Sequence, residues 1–213
     1  MENNILKVVE KEKIIVIVRG VESKKILPLA EAMYDGGIRL LEITYSAGNT
    51  ETAENIKRLK EHFGESMYIG AGTVLTEEQA ELTKDAGGEF IISPNTVPEV
   101  IRKTKALGMV SMPGAYTPSE IQLAHNSGAD FVKIFPAVSL GAEYIKAVKA
   151  PLSNIKLLAV GGINEHNMKE YLDAGVCGFG IGSNIVDQKR IEKNDFKAIT
   201  ELAKRYVSAV HGD

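Results

Sequence analysis

The chain has 213 residues, 44% of them hydrophobic, and its 25 basic and 28 acidic residues leave a formal charge of -3. That fits one large domain or two small ones with a sizeable core, and the absence of a basic face argues against nucleic acid as a partner. Cys177 is the only cysteine, which excludes an intramolecular disulfide and a cysteine-based metal cluster and points to a reducing, cytoplasmic setting.

In chain order, the opening "MENNILKVVEKEK" lacks the segments of a signal peptide and is expected to form a short helix over about residues 3–12. Eight apolar runs follow: "IIVIVR" (14–19), "IRLLEIT" (38–44), "MYIGAGT" (67–73), "EFIISP" (89–94), "GMVSMP" (108–113), "DFVKIFP" (130–136), "IKLLAVG" (155–161) and "CGFGIGS" (177–183). Each is far shorter than a membrane span, so no membrane partner is expected. Between them lie stretches of helical periodicity, most of which open on Ser, Thr or Asn and close on Gly, and a last helix is expected over about 193–210. Eight alternating strand and helix units predict an α/β fold, a (β/α)8 TIM barrel with a short N-terminal helix, occupying residues 1–213 as a single domain. An open doubly wound sheet would also alternate, but no G-x-G-x-x-G follows the first strand.

In such a barrel, chemistry sits at the carboxyl ends of the strands. The polar exceptions gather there: Arg19, Glu42, Thr44, Thr73, Ser93 with Asn95, Lys133, then Gly161-Gly162 and Gly182-Ser183. Lys133 lies within "FVKIFP", where a buried lysine needs a partner or a task. It is either a snorkelling or ion-paired lysine, or an amine nucleophile whose charge the apolar surroundings and Arg19 penalise. Glu42, inside "LLEIT", is either its counter-ion or a proton shuttle of raised pKa. Strand alternation lets Lys133 share an inward face with Phe131 and Phe135, and Glu42 with Leu40 and Thr44.

The glycines after the seventh and eighth strands either permit tight turns or let backbone amides and helix starts approach an anion, with Ser183 adding a hydroxyl. Thr73 either caps the next helix or binds a carboxylate, and Tyr45 is placed to reach the pocket rim. His62, His125, His166 and His211 fall away from strand ends without metal-ligand spacing, so no metal and no cofactor are expected.

The segments "LEIT", "GAGTVLT", "ISPN", "MPGAYTPSE", "FVKIFPA", "GGIN" and "GIGS" together resemble the 2-keto-3-deoxy-6-phosphogluconate / 4-hydroxy-2-oxoglutarate aldolases (KDPG/KHG aldolases), over nearly the whole chain. The resemblance implies a Schiff-base lyase, a homotrimer, acting on a small 2-keto-3-deoxy acid or its phosphate. It assigns Lys133 to the iminium, Glu42 to acid–base work and Thr73 to a carboxylate. Arg19, Pro94 and Phe135 match pocket positions, and Gly161, Gly162 and Ser183, beside Gly182, match the phosphate site.

Two positions depart from the pattern. Ser46 stands where relatives that cleave the gluconate-derived substrate carry arginine, and Val160 where many carry threonine; both resemble the branch acting on 2-keto-3-deoxy-6-phosphogalactonate. Outside this class, a phosphosugar epimerase or isomerase would share the glycine loops without needing the lysine, and a non-catalytic sugar-phosphate binder would show no retro-aldol turnover for Lys133→Ala to abolish.

Overall fold

A computed structural model describes residues 4–46 and 51–212. Asn3, expected at the head of the first helix, and Thr50, expected to open the helix after the second strand, lie outside the described residues. Among the described residues, nine strands are separated by helices except between the fifth and sixth: β1 (Ile14–Val18), β2 (Leu40–Thr44), β3 (Tyr68–Gly72), β4 (Phe90–Ile92), β5 (Val110–Met112), β6 (Gly114–Ala115), β7 (Val132–Ile134), β8 (Leu157–Val160) and β9 (Gly178–Ile181). All pair in parallel, in the order β5-β4-β3-β2-β1-β9-β8-β7-β6.

The two ends of that order, β5 and β6, are one stretch of chain broken at Pro113: β5 falls within the expected run 108–113 and β6 lies just beyond it. Proline has no N–H to give a ladder, so the strand divides there. β5 stays with β4 (Phe90↔Val110) while β6 joins β7 (Gly114↔Lys133), and the ring is thereby nearly closed. The (β/α)8 expectation holds, with the fifth strand in two pieces.

The helices are α1 (Asn4–Glu12), α2 (Ser23–Asp35), α3 (Thr52–Phe63), α4 (Glu77–Asp85), α5 (Pro98–Ala106), α6 (Pro118–Asn126), α7 (Gly141–Lys149), α8 (Met168–Asp173), α9 (Gln188–Glu192) and α10 (Phe196–His211), with a short 3₁₀ turn at Ala137–Ser139. Their starts follow sequence chemistry: Thr76 and Thr117 make full capping boxes with Gln79 and Glu120, and Asp195 caps α10. One apolar layer joins helices to the outer strand faces; a second fills the lumen with Ile15, Leu40, Phe90, Ile92, Val110, Met112, Phe131 and Leu158.

Alternate residues of β2, β3 and β9 face that lumen, and there glycine makes room. A Cβ on Gly70 would stand 2.4 Å from the Phe90 ring, and one on Gly180 2.8 Å from Val160. Helix α1 closes the amino end, its Ile5 and Val9 buried against the lumen residues. Among the described residues no helix plugs the carboxyl end in this way.

Candidate active site

The carboxyl end holds a cavity of about 380 Å³, a volume suited to a small metabolite, lined among others by Arg19, Thr73, Pro94, Lys133, Phe135 and Ser183. Gly161, Gly162 and Gly182 line it too, so every substrate-binding residue expected from sequence meets Lys133 here. Lys133 is only 6% exposed, in β7, directly above the buried Phe131. Its Nζ sits 4.7 Å over the Phe135 ring centroid.

Glu42 is 1% exposed in the middle of β2. Its side chain lies across Gly72 so closely that a Cβ there would be 1.5 Å from Oε1, and its Oε2 is buried without a hydrogen-bond partner. The expected inward parities of Lys133 and Glu42 are what the barrel has.

Burial pushes the Glu42 carboxyl up to about 7, against the opposing pull of Lys133 and Arg19. It pushes the Lys133 ammonium down; Glu42 resists that shift and Arg19 reinforces it. No close ion pair links the two groups among the described residues. The simple counter-ion alternative therefore fails, because a stabilising buried pair needs contact and satisfied oxygens. What remains is a desolvated amine that lines the cavity and, not itself among the lining residues, a desolvated carboxyl whose charge couples to it.

Arg19, exposed at the end of β1, donates from Nη2 to Thr73 Oγ1 at 2.9 Å. Thr73 has φ 57°, a left-handed backbone that a β-branched residue adopts only when surrounding structure imposes it. Thr73 does not cap the next helix, since Thr76 does. Ser93 and Thr44 spend their hydroxyls on carbonyls, of Val74 and Val18 respectively. Tyr45 does not reach the rim: it is buried under α4 with its hydroxyl on Thr83 and Gln79.

The glycine turns differ from expectation in one respect. After β8 the chain runs through Gly161-Gly162 and a turn before α8 starts at Met168, and α8 has only 6 residues. What this turn presents to the cavity is therefore backbone rather than the start of a helix. Sequence reasoning passed over Ile17, Ile163, Gly180 and Asn184, which also line the cavity. Asn184 was adjacent to "GIGS" and carries a polar side chain, a signal that was there to read; the others look like ordinary core residues. No group of three or more metal-ligating side chains occurs among the described residues.

A parallel barrel that sets a desolvated lysine and a buried carboxyl at its carboxyl-end cavity has the make-up of a Schiff-base carbonyl enzyme. Comparison with known proteins narrows this. The family model described as KDPG and KHG aldolase matches residues 5–202. The 2-dehydro-3-deoxy-6-phosphogalactonate aldolase of Escherichia coli K12 is 35% identical over 198 residues, covering 92% of this chain and 96% of the relative. The 2-dehydro-3-deoxy-phosphogluconate aldolase of Haemophilus influenzae is 32% identical over 202 residues, 93% of this chain and 92% of the relative. Among solved structures, the KDPG aldolase of Legionella pneumophila, with pyruvate captured as a covalent carbinolamine, superimposes with a TM-score of 0.85 at 32% identity over 93% of this chain and 96% of that one. The chain belongs to the KDPG and KHG aldolase family, and it is a carbon–carbon lyase of the aldolase type.

Proposed function

We propose that the protein cleaves 2-keto-3-deoxy-6-phosphogluconate to pyruvate and glyceraldehyde 3-phosphate, or 4-hydroxy-2-oxoglutarate to pyruvate and glyoxylate, with Lys133 as nucleophile and Glu42 as acid–base group. The observation that carries the proposal is the desolvated Lys133 amine lining the cavity and coupled electrostatically to the buried Glu42 carboxyl, which is raised to about 7. The Glu42 carboxyl changes protonation near neutrality, as general catalysis requires, and burial favours the neutral, nucleophilic form of Lys133.

The neutral amine of Lys133 adds to the C2 carbonyl carbon, the C=O pair moves to oxygen, and Glu42 relays a proton from nitrogen to that oxygen. Glu42 then gives a proton to the carbinolamine hydroxyl; water leaves and the nitrogen lone pair closes the C=N bond of a cationic imine. As carboxylate, Glu42 takes the proton of the C4 hydroxyl. The O–H pair becomes the aldehyde carbonyl, the C3–C4 bond breaks, and its electrons form C2=C3 while the imine cation collapses to an enamine. Protonation at C3 and hydrolysis release pyruvate and free Lys133. Arg19 and Thr73 are assigned to the pyruvate carboxylate, Gly161, Gly162, Gly182 and Ser183 to the phosphate, and Pro94 and Phe135 to the pocket wall.

A second reading, cleavage of 2-keto-3-deoxy-6-phosphogalactonate, is favoured by Val160, which lines the cavity and offers no donor to a hydroxyl aimed at it. Ser46 in place of arginine points the same way. Assaying both phosphorylated epimers and 4-hydroxy-2-oxoglutarate side by side decides the substrate. Borohydride with pyruvate should leave a pyruvate-sized adduct on Lys133; an unmodified lysine would refute the mechanism. The assembly assigned is the homotrimer, and a one-chain mass by light scattering would withdraw it.

A further inference from the structure

We infer that Asn167 and Asn184 are positioning residues that hold the two glycine turns of the barrel mouth as a preformed anion nest; this rests on the phosphorylated-substrate reading above. Three consecutive carbonyls leaving β8 are each held by a donor from elsewhere. Gly161 O accepts from the backbone N–H of Val138 at 3.1 Å, Gly162 O from Asn167 Nδ2 at 3.0 Å, and Ile163 O from Asn184 Nδ2 at 2.7 Å. In a trans peptide the C=O and the N–H point in opposite directions. Fixing the oxygens of Gly161 and Gly162 on protein donors therefore turns the N–H groups of Gly162 and Ile163 the other way, and both residues line the cavity. Neither N–H has an acceptor among the described residues. Gly161 and Gly162 have φ of 94° and 80°, and successive N–H groups on such backbone make a concave anion site.

Asn167 acts at two points. Its Oδ1 accepts from Asn164 N at 2.8 Å while Nδ2 donates to Gly162 O, so only one orientation of the amide satisfies both contacts. Asn184 works from the opposite turn: it follows Gly182-Ser183, and its side chain crosses to Ile163 O, fixing the separation of the two halves of the cradle. The turns themselves, 161–163 and 182–184, contain no cationic side chain. Within the turns the attraction falls to oriented amides, beside the Arg19 that lines the same cavity, and amides attract an anion only if their peptides cannot rotate to present an oxygen.

Asn184→Leu keeps the side chain's approximate size and removes the donor. One assay compares kcat/KM for 2-keto-3-deoxy-6-phosphogluconate and for 4-hydroxy-2-oxoglutarate, which has no phosphate; another follows inorganic phosphate binding by ³¹P line broadening. The ratio of the two kcat/KM values should fall about tenfold, chiefly through KM of the phosphorylated substrate, with phosphate binding weakened alike. An equal loss on both substrates marks a merely structural role and overturns the inference. So does phosphate binding that Asn184→Leu leaves as tight, whichever substrates are cleaved. A wild-type protein that cleaves neither of these substrates nor 2-keto-3-deoxy-6-phosphogalactonate, yet binds phosphate in an Asn184-dependent way, removes the proposed activity and keeps the nest. Asn167→Leu, read in the same assays, serves if Asn184→Leu does not fold.

Discussion

At the scale of single residues, Lys133 and Glu42 are held in an arrangement that costs stability and confers reactivity. Lys133→Arg keeps the charge but not a removable proton, since a guanidinium stays protonated. Turnover should vanish in that variant, with folding retained by circular dichroism; ordinary activity would exclude the iminium. Glu42→Gln should slow cleavage by about 10²–10⁴-fold in steady-state assays. It should also change the pH dependence of stability. Burial holds the folded Glu42 carboxyl at about 7 against its ordinary value of 4.5, so between those values the native state holds more protons than the unfolded one and stability falls as pH rises. Removing that group, and with it the partner that resists the downward shift of Lys133, acts with the same sign on both groups. The difference in Tm between Glu42→Gln and wild type should therefore shift in favour of the variant from pH 4.5 to pH 8; a constant difference would mean that Glu42 titrates normally.

At the scale of elements, the site depends on what the strands leave out. β3 reads "YIGAG", and its inward glycines are spaces for Phe90 and for the Glu42 side chain. Gly72→Ala would drive a methyl into the carboxylate, because a Cβ 1.5 Å from Oε1 forces that side chain to move. We expect turnover to fall at least as far as in Glu42→Gln, with a stability loss of about 1–3 kcal/mol in denaturant melts. Wild-type activity there would show that Glu42 works from another position. The sequence marked β3 as a strand but gave no sign that its glycines serve a neighbour's carboxylate, since that neighbour lies 30 residues away in the chain. Similarly, "GMVSMP" showed an apolar run, while the second strand just past Pro113 follows only because β7 is there to pair with Gly114–Ala115 as β4 pairs with Val110–Met112.

At the scale of the whole molecule, the two ends of the barrel do different work. α1 seals one with Ile5 and Val9, and the chemistry opens at the other. Ile5→Ala should cost about 2–5 kcal/mol in chemical denaturation while leaving kcat near wild type, because the cavity it creates is at the far end from Lys133. A large loss of kcat in the folded variant would show that the floor of the barrel shapes its mouth. Period, punctuation and local chemistry determined much by sequence alone: eight strand-forming runs, their helices, the capping threonines, and the two ionisable residues out of place in apolar strands. Those signals act over a few residues, so they are legible one at a time. The tertiary structure decided which of these residues face each other, that Lys133 and Glu42 are buried without pairing, that Thr73 answers Arg19 rather than a helix, and that Asn184 reaches across to Ile163. Each of those facts depends on distances between segments far apart in the chain, and such distances are fixed only when the sheet closes.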